Sequence, residues 1–220
     1  CINGLAPHDQ GDIHIFNESL SQISKPRLRT LRQKVGVVFQ HFNLVQNVSV
    51  FQNVLYGALG QQRLGLLSTL SCTASQTLRE RAMQSLDRVG LAHKALASCR
   101  ELSGGQQQRV AIARTLMQDA HIIIADEPIA SLDPKAGREI MDLLLEVVSE
   151  RGLTVLCTLH QLELAQQYGD RIVGMKAGTV VLDTPQEAAT LSEMQALYQG
   201  DTRVEQTPSS STTHQPLRAI

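Results

Sequence analysis

The chain has 220 residues, enough for one domain or for one domain with a subdomain. Its formal net charge of -1 gives no electrostatic reason to expect a nucleic-acid partner, and no run approaches the roughly 20 apolar residues that cross a bilayer. The four cysteines are scattered without a C-x-x-C pair, which predicts reduced thiols in a cytoplasmic protein rather than disulfides or a zinc site.

The first forty residues predict short elements. The opening Cys1-Ile-Asn-Gly-Leu5 is typical of a helix tail that stops at Gly4, so we expect that the chain is N-terminally truncated or that its start is misassigned. Residues 13–16 predict a short strand, and residues 26–33 predict a short basic helix whose arginines face solvent. The apolar run 34–39 predicts a buried strand.

The next sixty residues have helical character. Apolar residues at helical spacing predict helices over Val48–Leu59 and Ser75–Val89. The stretch Gly60–Ser75 between them is rich in Leu, Ser, Gly and Thr and predicts a mobile connection. We therefore predict a helical subdomain over residues 43–103, inserted into an α/β core of residues 1–42 and 104–200.

Helices and strands alternate after Gly105. The patterns predict helices ending near Gln118 and over 135–150 and 162–168, and strands over 122–125, 154–158, 171–175 and 179–182, the last two joined as a hairpin at Ala177-Gly178. Strands of unbroken Ile, Val and Leu are typical of a parallel sheet buried on both faces under helices. The Ser/Thr/Gln/Pro-rich residues 201–220 predict a disordered tail.

A glycine pair opens one of these helices. Ser103 and Gln106 form a capping-box pattern around Gly104 and Gly105. One interpretation is simply a well-capped helix. The other is a phosphate site, because glycines let an anion approach the backbone N–H groups at the positive end of the helix dipole.

Two acids follow the apolar strand 122–125. Asp126 and Glu127 stand at the carboxyl end of a predicted parallel strand, the edge at which open α/β sheets bind ligands. One acid can hold Mg²⁺ and the other can orient or deprotonate an attacking water. The alternative is a solvated loop in which both acids serve as caps.

Two further residues point to the same edge. Gln40 and His160 each follow a predicted apolar strand, although each alone is typical of an ordinary loop residue. Their convergence with the acids and the glycine pair favours hydrolysis of a nucleoside triphosphate. Asp133, an N-cap before Pro134, is by itself a purely structural signal.

These segments resemble the motifs of the ATP-binding cassette (ABC) ATPases. The matching segments are Val38-Phe-Gln40 (Q-loop), Leu102-Ser-Gly-Gly-Gln106 (signature), Ile122–Pro128 (Walker B), Ser131-Leu-Asp133 (D-loop) and His160 (H-loop). The resemblance implies a P-loop NTPase (RecA-like) parallel-sheet core with an inserted helical subdomain. It also implies ATP and Mg²⁺ as cofactors.

The resemblance also implies residue roles. Glu127 would be the general base and His160 would contact the γ-phosphate, while Gln40 and Asp126 would hold Mg²⁺. Residues 103–106 would close over ATP bound to the other subunit of a head-to-tail homodimer, with Asp133 at the dimer seam. The implied partners are transmembrane permease subunits and, indirectly, a periplasmic substrate-binding protein, at the cytoplasmic face of the bacterial inner membrane.

Within this family, several segments resemble those of the phosphonate importers, for example Phe39-Gln-His-Phe-Asn-Leu-Val45 and Thr158-Leu-His-Gln161. An importer of another solute, such as amino acids, is the alternative, although many of those place an acid where this chain has Gln161. A soluble ABC ATPase of repair or translation and a non-catalytic module that only docks on a permease are further alternatives. The 220 residues contain no G-x-x-x-x-G-K-[ST] loop, so we expect them alone to bind ATP weakly and to be inactive.

Overall fold

The computed structural model describes residues 2–62 and 65–199. These residues divide into two compact units, residues 2–158 and residues 159–199. Cys1 and the predicted disordered tail, residues 201–220, lie outside the described residues. The predicted boundaries of the helical subdomain remain a prediction.

The first unit begins with a small antiparallel pair. Strands β1 (His14–Ile15) and β2 (Glu18–Ser19) are joined by Phe16 and Asn17, whose φ angles are 51° and 62°. The pair covers a small apolar cluster that includes Ile15, Leu31 and Ile122. The predicted strand over residues 13–16 is therefore present as one half of a hairpin.

Helix α1 (Lys25–Gln33) follows, with Ser24 as its N-cap, and leads into strand β3 (Val35–Val38). The expectation that its arginines face solvent is wrong for Arg32, which is half-buried, whereas Arg27 is exposed. Arg27 forms a two-pronged ion pair with Glu18, and Arg32 donates hydrogen bonds to the carbonyls of Asn3 and Gly4. Both arginines connect α1 to the chain before it.

The described residues between 50 and 101 form mainly helices, as predicted. The elements are α2 (Val50–Leu55), a 3-10 helix (Tyr56–Gln61), α3 (Leu66–Thr69), α4 (Gln76–Arg88) and two single 3-10 turns (Ala92–Lys94 and Cys99–Glu101). Helices α2 and α4 bury their apolar faces almost completely, with Val50, Val54 and Leu86 fully inaccessible. The stretch 60–75, expected to be a connection, includes the short helix α3.

The α/β part then supplies α5 (Gly104–Met117), β4 (Ile122–Asp126), α6 (Pro134–Arg151) and β5 (Thr154–Thr158). Strands β3, β4 and β5 form one parallel sheet in that order. Helix α5 packs closely against β3 at Gly36. A Cβ atom there would be 3.1 Å from Thr115 of α5 and 3.2 Å from Ala120, which follows the helix. The predicted parallel core is confirmed.

The central strand of this sheet and its neighbour β5 differ in burial. Strand β4 pairs on both sides and buries Ile122, Ile123 and Ala125. Strand β5 pairs only with β4 within the first unit and alternates between exposed and half-buried residues, with Leu156 45% exposed. The expectation that every apolar strand is buried on both faces is therefore wrong for β5.

The second unit contains α7 (Leu162–Tyr168), β6 (Arg171–Lys176), β7 (Thr179–Pro185) and α8 (Leu191–Gln199). Strands β6 and β7 form the predicted hairpin, turned by Ala177 and Gly178 at φ of 49° and 79°. Ile172, Ala189 and Met194 form its small core. No helix among the described residues is long and apolar enough to cross a membrane.

Candidate functional site

The strand ends of the parallel sheet place several predicted residues at one edge. Val38 pairs with Ala125, and Asp126 pairs with Thr158, so β3, β4 and β5 end at nearly the same level. Gln40 follows β3 in a turn and is half-buried. His160 follows β5 by two residues and belongs to the second unit.

Asp126 and Glu127 are linked to β5 through one hydroxyl group. The Thr158 Oγ1 donates to Asp126 Oδ1 over 2.8 Å and accepts from the Glu127 backbone N–H over 2.9 Å. Because Asp126 and Thr158 are register partners, this bridge depends on the pairing of β4 with β5. We call Asp126, Glu127 and Thr158 the acid half-site.

The chain turns sharply after β4. Glu127 has a φ of 45°, a left-handed conformation that non-glycine residues seldom adopt. Its carbonyl accepts from the Ala130 N–H over 3.2 Å, which closes a turn through Pro128. The strand therefore ends at Asp126, and Glu127 begins the turn as a half-buried residue.

The start of α5 is capped as predicted. The Gln106 N–H donates to Ser103 Oγ over 3.4 Å, and the Ser103 N–H donates to Gln106 Oε1 over 3.2 Å. Lys94 Nζ also lies 3.3 Å from Gln106 Oε1. We call residues 103–106 the signature half-site.

Neighbouring segments surround the two glycines. A Cβ atom at Gly104 would lie 3.1 Å from Leu132 Cδ2 and 3.6 Å from Phe42 Cζ, whereas one at Gly105 would have an ordinary contact of 3.7 Å with Ala136. An alanine at Gly104 would require the Leu132 side chain to shift by a few tenths of an ångström. Gly105 has room for a methyl group.

Asp133 acts as the N-cap of α6. Its Oδ1 accepts from the N–H groups of Lys135 and Ala136 over 3.1 and 3.0 Å. The predicted cap is present, with Pro134 in the first turn. The carboxylate is exposed, so it remains accessible at the surface.

The segment after Gln40 is held by residues that the sequence patterns did not single out. We call residues 40–45 the Gln40 loop. Arg114 of α5 donates to the carbonyls of Asn43 and Phe42 over 2.7 and 3.2 Å. Asn53 of α2 accepts from the Val45 N–H over 2.8 Å and donates to the Val45 carbonyl over 3.0 Å.

A groove of about 530 Å³ lies beside this loop. Arg29, Arg32 and Arg114 contribute cationic groups to its lining, Val37 and Phe39 contribute apolar surface, and no carboxylate lines it. A larger cavity of about 1430 Å³ lies between α4 and residues 92–102 and includes none of the predicted site residues. The smaller groove includes none of them either, but it is lined by Asn43 of the Gln40 loop.

Cys157 lies beside the acids without adding chemistry to them. Burial raises the pKa of its thiol to about 12, and the neighbouring Asp126 carboxylate adds to the rise. The thiol is therefore neutral and unreactive near pH 7. No cluster of His, Cys, Asp and Glu side chains among residues 2–62 and 65–199 could bind a metal by itself.

The structure thus joins Asp126 and Glu127 through Thr158, and places Gly104 against the Gln40 loop and Leu132. Thr158 and Arg114 are the residues that the sequence reasoning missed. The parallel register could have indicated Thr158, since it is the last residue of the strand that pairs with β4. No local pattern indicates Arg114, because its partners lie 71 and 72 residues away.

The fold and the arrangement of these segments define a cassette-type ATPase. A sequence profile of the ABC transporter family matches residues 1–130, more than half of the chain, and the chain therefore belongs to that family. The predicted fold and the predicted class of enzyme, an ABC-type transporter ATPase, are confirmed.

Several relatives within this family are named as import ATP-binding proteins. The chain is 49% identical over 199 residues to the phosphate-import ATP-binding protein PhnC of Mycolicibacterium smegmatis, covering 90% of this chain and 75% of the relative. It is 42% identical to the phosphonates import ATP-binding protein PhnC 2 of Oceanobacillus iheyensis, with 90% and 77% covered. The hypophosphite import ATP-binding protein HtxD of Stutzerimonas stutzeri is also 42% identical, with 90% and 58% covered.

Solved structures agree with the fold. The cbiO1 protein of Clostridium perfringens, part of the ABC transporter complex cbiONQ, superposes with a TM-score of 0.74 at 30% identity, covering 92% of this chain and 76% of that one. A dimeric structure of the ATP-binding cassette MJ0796 bound to ADP and Pi gives a TM-score of 0.68 at 34% identity, covering 84% and 77%.

Proposed function

We propose that the chain is the ATP-hydrolysing, energy-coupling subunit of an importer for phosphonates or related phosphorus oxyanions. The observation behind this proposal is the acid half-site, in which the exposed Asp126 and the backbone of Glu127 are held by Thr158 at the end of β4. The cargo class comes from the relatives, which are named for the import of phosphonates, phosphate and hypophosphite.

In this proposal Glu127 acts as the general base for the attacking water. Its backbone leaves the strand at φ 45°, and the bond from its N–H to Thr158 fixes that departure. A base that is positioned in advance contributes by proton transfer within hydrogen-bond reach of the water. Gln40, at the end of β3, would orient the same water, and His160 would contact the γ-phosphate.

Asp126 and Gln40 are the residues that would hold Mg²⁺. The donor set fits this ion, because Mg²⁺ is usually bound by one or two protein oxygens together with waters and substrate phosphates. Asp126 is an exposed carboxylate with one oxygen already oriented by Thr158. When bound, Mg²⁺ would neutralise charge that develops on the phosphates.

The signature half-site would serve nucleotide bound to a second copy of the chain. Gly105 carries no side chain beside its backbone N–H, and the helix start attracts anions. A head-to-tail homodimer would bring residues 103–106 over the partner's ATP and place Asp133 at the seam. The dimeric cassette MJ0796, bound to ADP and Pi, supports this arrangement.

A permease would dock in the groove beside the Gln40 loop. The groove combines an apolar floor with three arginines and no carboxylate, which suits an apolar helix that presents an acidic side chain. Such a partner would place the chain at the cytoplasmic face of the bacterial inner membrane. A periplasmic substrate-binding protein would deliver the cargo from the other side.

The test uses the chain extended at its N-terminus with a G-x-x-x-x-G-K-[ST] loop, because the 220 residues contain none. Glu127→Gln should lower ATP turnover by at least about 100-fold while the dimer with bound ATP accumulates. Turnover is measured by phosphate release and the dimer by size-exclusion chromatography with light scattering.

Unchanged hydrolysis by Glu127→Gln would remove Glu127 from the role of base. If the extended chain with native Glu127 shows no turnover, a module that only docks on a permease becomes the better proposal. Uptake of labelled phosphonate, phosphate and amino acids by cells carrying the complete transporter tests the cargo separately.

A further inference from the structure

The Gln40 loop and helix α5 are linked at two points, although they are far apart in sequence. The first point is Arg114, whose guanidinium donates to two consecutive carbonyls of the loop, those of Phe42 and Asn43. A planar guanidinium, whose donors are fixed in a fork, suits two neighbouring acceptors better than the compact point charge of a lysine.

The loop conformation at those two carbonyls needs outside support. Phe42 and Asn43 have φ angles of 60° and 48°, so two consecutive non-glycine residues are left-handed. Non-glycine residues are disfavoured in this conformation, Phe more than Asn, and persist there where their surroundings hold them. Arg114 supplies that support from α5, and Asn53 supplies it at Val45 from α2.

Arg114 depends on the loop in return. Its side chain is half-buried, and loss of solvent lowers the pKa of its guanidinium, with a small opposing effect of Cys99. A charge withdrawn from water needs acceptors. Among the described residues its acceptors are the two loop carbonyls rather than a carboxylate, so the charge is satisfied while the loop keeps its conformation.

The second point is the Phe42 ring. Its Cζ lies 3.6 Å from the position that a Cβ would occupy at Gly104, the first residue of α5. The same loop residue therefore offers its carbonyl to Arg114 and its ring to the signature half-site. Asn43 and Arg114 also line the groove beside the loop.

We propose that Arg114 is a positioning residue that, together with Phe42, makes the Gln40 loop and the signature half-site move as one body. A partner segment entering the groove at Asn43 would shift Gln40 and residues 103–106 together. This inference rests on the proposed function, because it explains how the docking of one partner would affect both Gln40 and the signature half-site.

The test is backbone hydrogen exchange of the 220-residue chain, measured by mass spectrometry on peptides covering 40–45 and 103–107. Arg114→Met should speed exchange in both peptides by about tenfold, and Arg114→Lys should give an intermediate rate. Phe42→Leu should speed exchange at 103–107 while changing 40–45 less, because the Arg114 bonds to the carbonyls remain.

Arg81→Met is the matched control. Arg81 also donates to a carbonyl of α5, that of Met117 over 3.3 Å. Among the described residues, no hydrogen bond joins Arg81 to the Gln40 loop. It should leave both peptides unchanged. Because exchange needs no nucleotide, its result is independent of the ATPase test of Glu127.

Two outcomes would overturn the proposal. One is faster exchange at 40–45 in Arg114→Met with no change at 103–107, which would show that the loop loosens alone. The other is an equal rise for Arg81→Met, which would show that any lost arginine loosens the helix. If Arg114→Met does not fold, the proposal is tested by the exchange rates of Arg114→Lys and Phe42→Leu in the same two peptides.

Discussion

The start of α5 and the end of β4 both present polar groups to the candidate site, but the bonds that hold them span very different distances along the chain. Ser103 and Gln106 cap each other three residues apart, whereas Asp126 is oriented by Thr158, 32 residues later. The cap of the signature half-site is therefore specified by local sequence. The acid half-site exists only when β4 and β5 pair in register.

Packing follows the same division. Helix α5 buries most of its length, including Val110, Ile112 and Leu116. Strand β5, which supports the acids, has no fully buried residue. Changes beneath α5 should therefore cost more folding free energy than changes at β5, and changes at β5 should act mainly on the chemistry.

The largest effect should come from Gly57→Ala. A Cβ at Gly57 would lie 2.2 Å from the Arg114 carbonyl oxygen and 3.0 Å from Met117 Cβ, so α5 would have to move. Overpacking of this kind should lower the free energy of unfolding by about 3 kcal/mol, measured by urea denaturation. Gly137→Ala is the control, because its Cβ would meet Ile129 at an ordinary 3.6 Å and alanine favours the helix.

A smaller loss of stability and a larger loss of activity should follow Thr158→Val. The change removes the hydroxyl between Asp126 and Glu127 but keeps the shape of the side chain. Because Thr158 is exposed and water can replace it, the free energy of unfolding should fall by about 1 kcal/mol. In the loop-extended chain, ATP turnover should fall severalfold, measured by phosphate release.

Thr158→Ser should retain turnover, and Thr154→Val, at the exposed start of the same strand, should change neither quantity. Normal turnover in Thr158→Val would show that strand pairing alone positions the acids.

Ser103→Ala should cost about 1 kcal/mol of unfolding free energy through the lost cap. Ser75→Ala, which removes the corresponding cap of α4, is the matched comparison. The two losses should be alike if the signature half-site is stabilised as an ordinary capped helix. A much larger loss for Ser103→Ala in urea denaturation would mean that tertiary contacts, rather than local sequence, hold this half-site.

The smallest effect should be a gain. Gln108 of α5 is fully buried, and neither of its side-chain amide atoms has a hydrogen-bond partner among the described residues. Gln108→Met keeps a similar shape without the unpaired polar atoms and should raise the free energy of unfolding by up to about 1 kcal/mol. A loss instead would indicate an internal water bound to the amide, which a high-resolution crystal structure would show.

Much of the fold followed from periodicity and end signals. The predicted strand 154–158 and helix 162–168 agree with β5 and α7 residue for residue, and the helix predicted over 135–150 is α6 within one residue at each end. These elements have strong apolar patterns and clear caps, such as Asp133 and Gly152 of α6. Local chemistry was enough to place them.

The parts that were missed depend on contacts between distant segments. The role of Thr158 follows from strand register, and that of Arg114 from the packing of α5 on a loop some seventy residues earlier. The exposure of β5 is not revealed by its apolar run either, since β3 also pairs with β4 alone in this unit and is mostly buried. Single-sequence patterns report on neighbours along a helix or strand and are silent about such partners.

Glu127 occupies a backbone conformation that glycine would adopt at lower energy, since φ is 45°. A non-glycine residue there costs about 1 kcal/mol or more. In a lineage released from the need to hydrolyse ATP, selection for stability alone would favour glycine or asparagine at this position. Descendants with glycine at 127 would keep the fold, and their sequences would mark where the family has turned an enzyme into a scaffold.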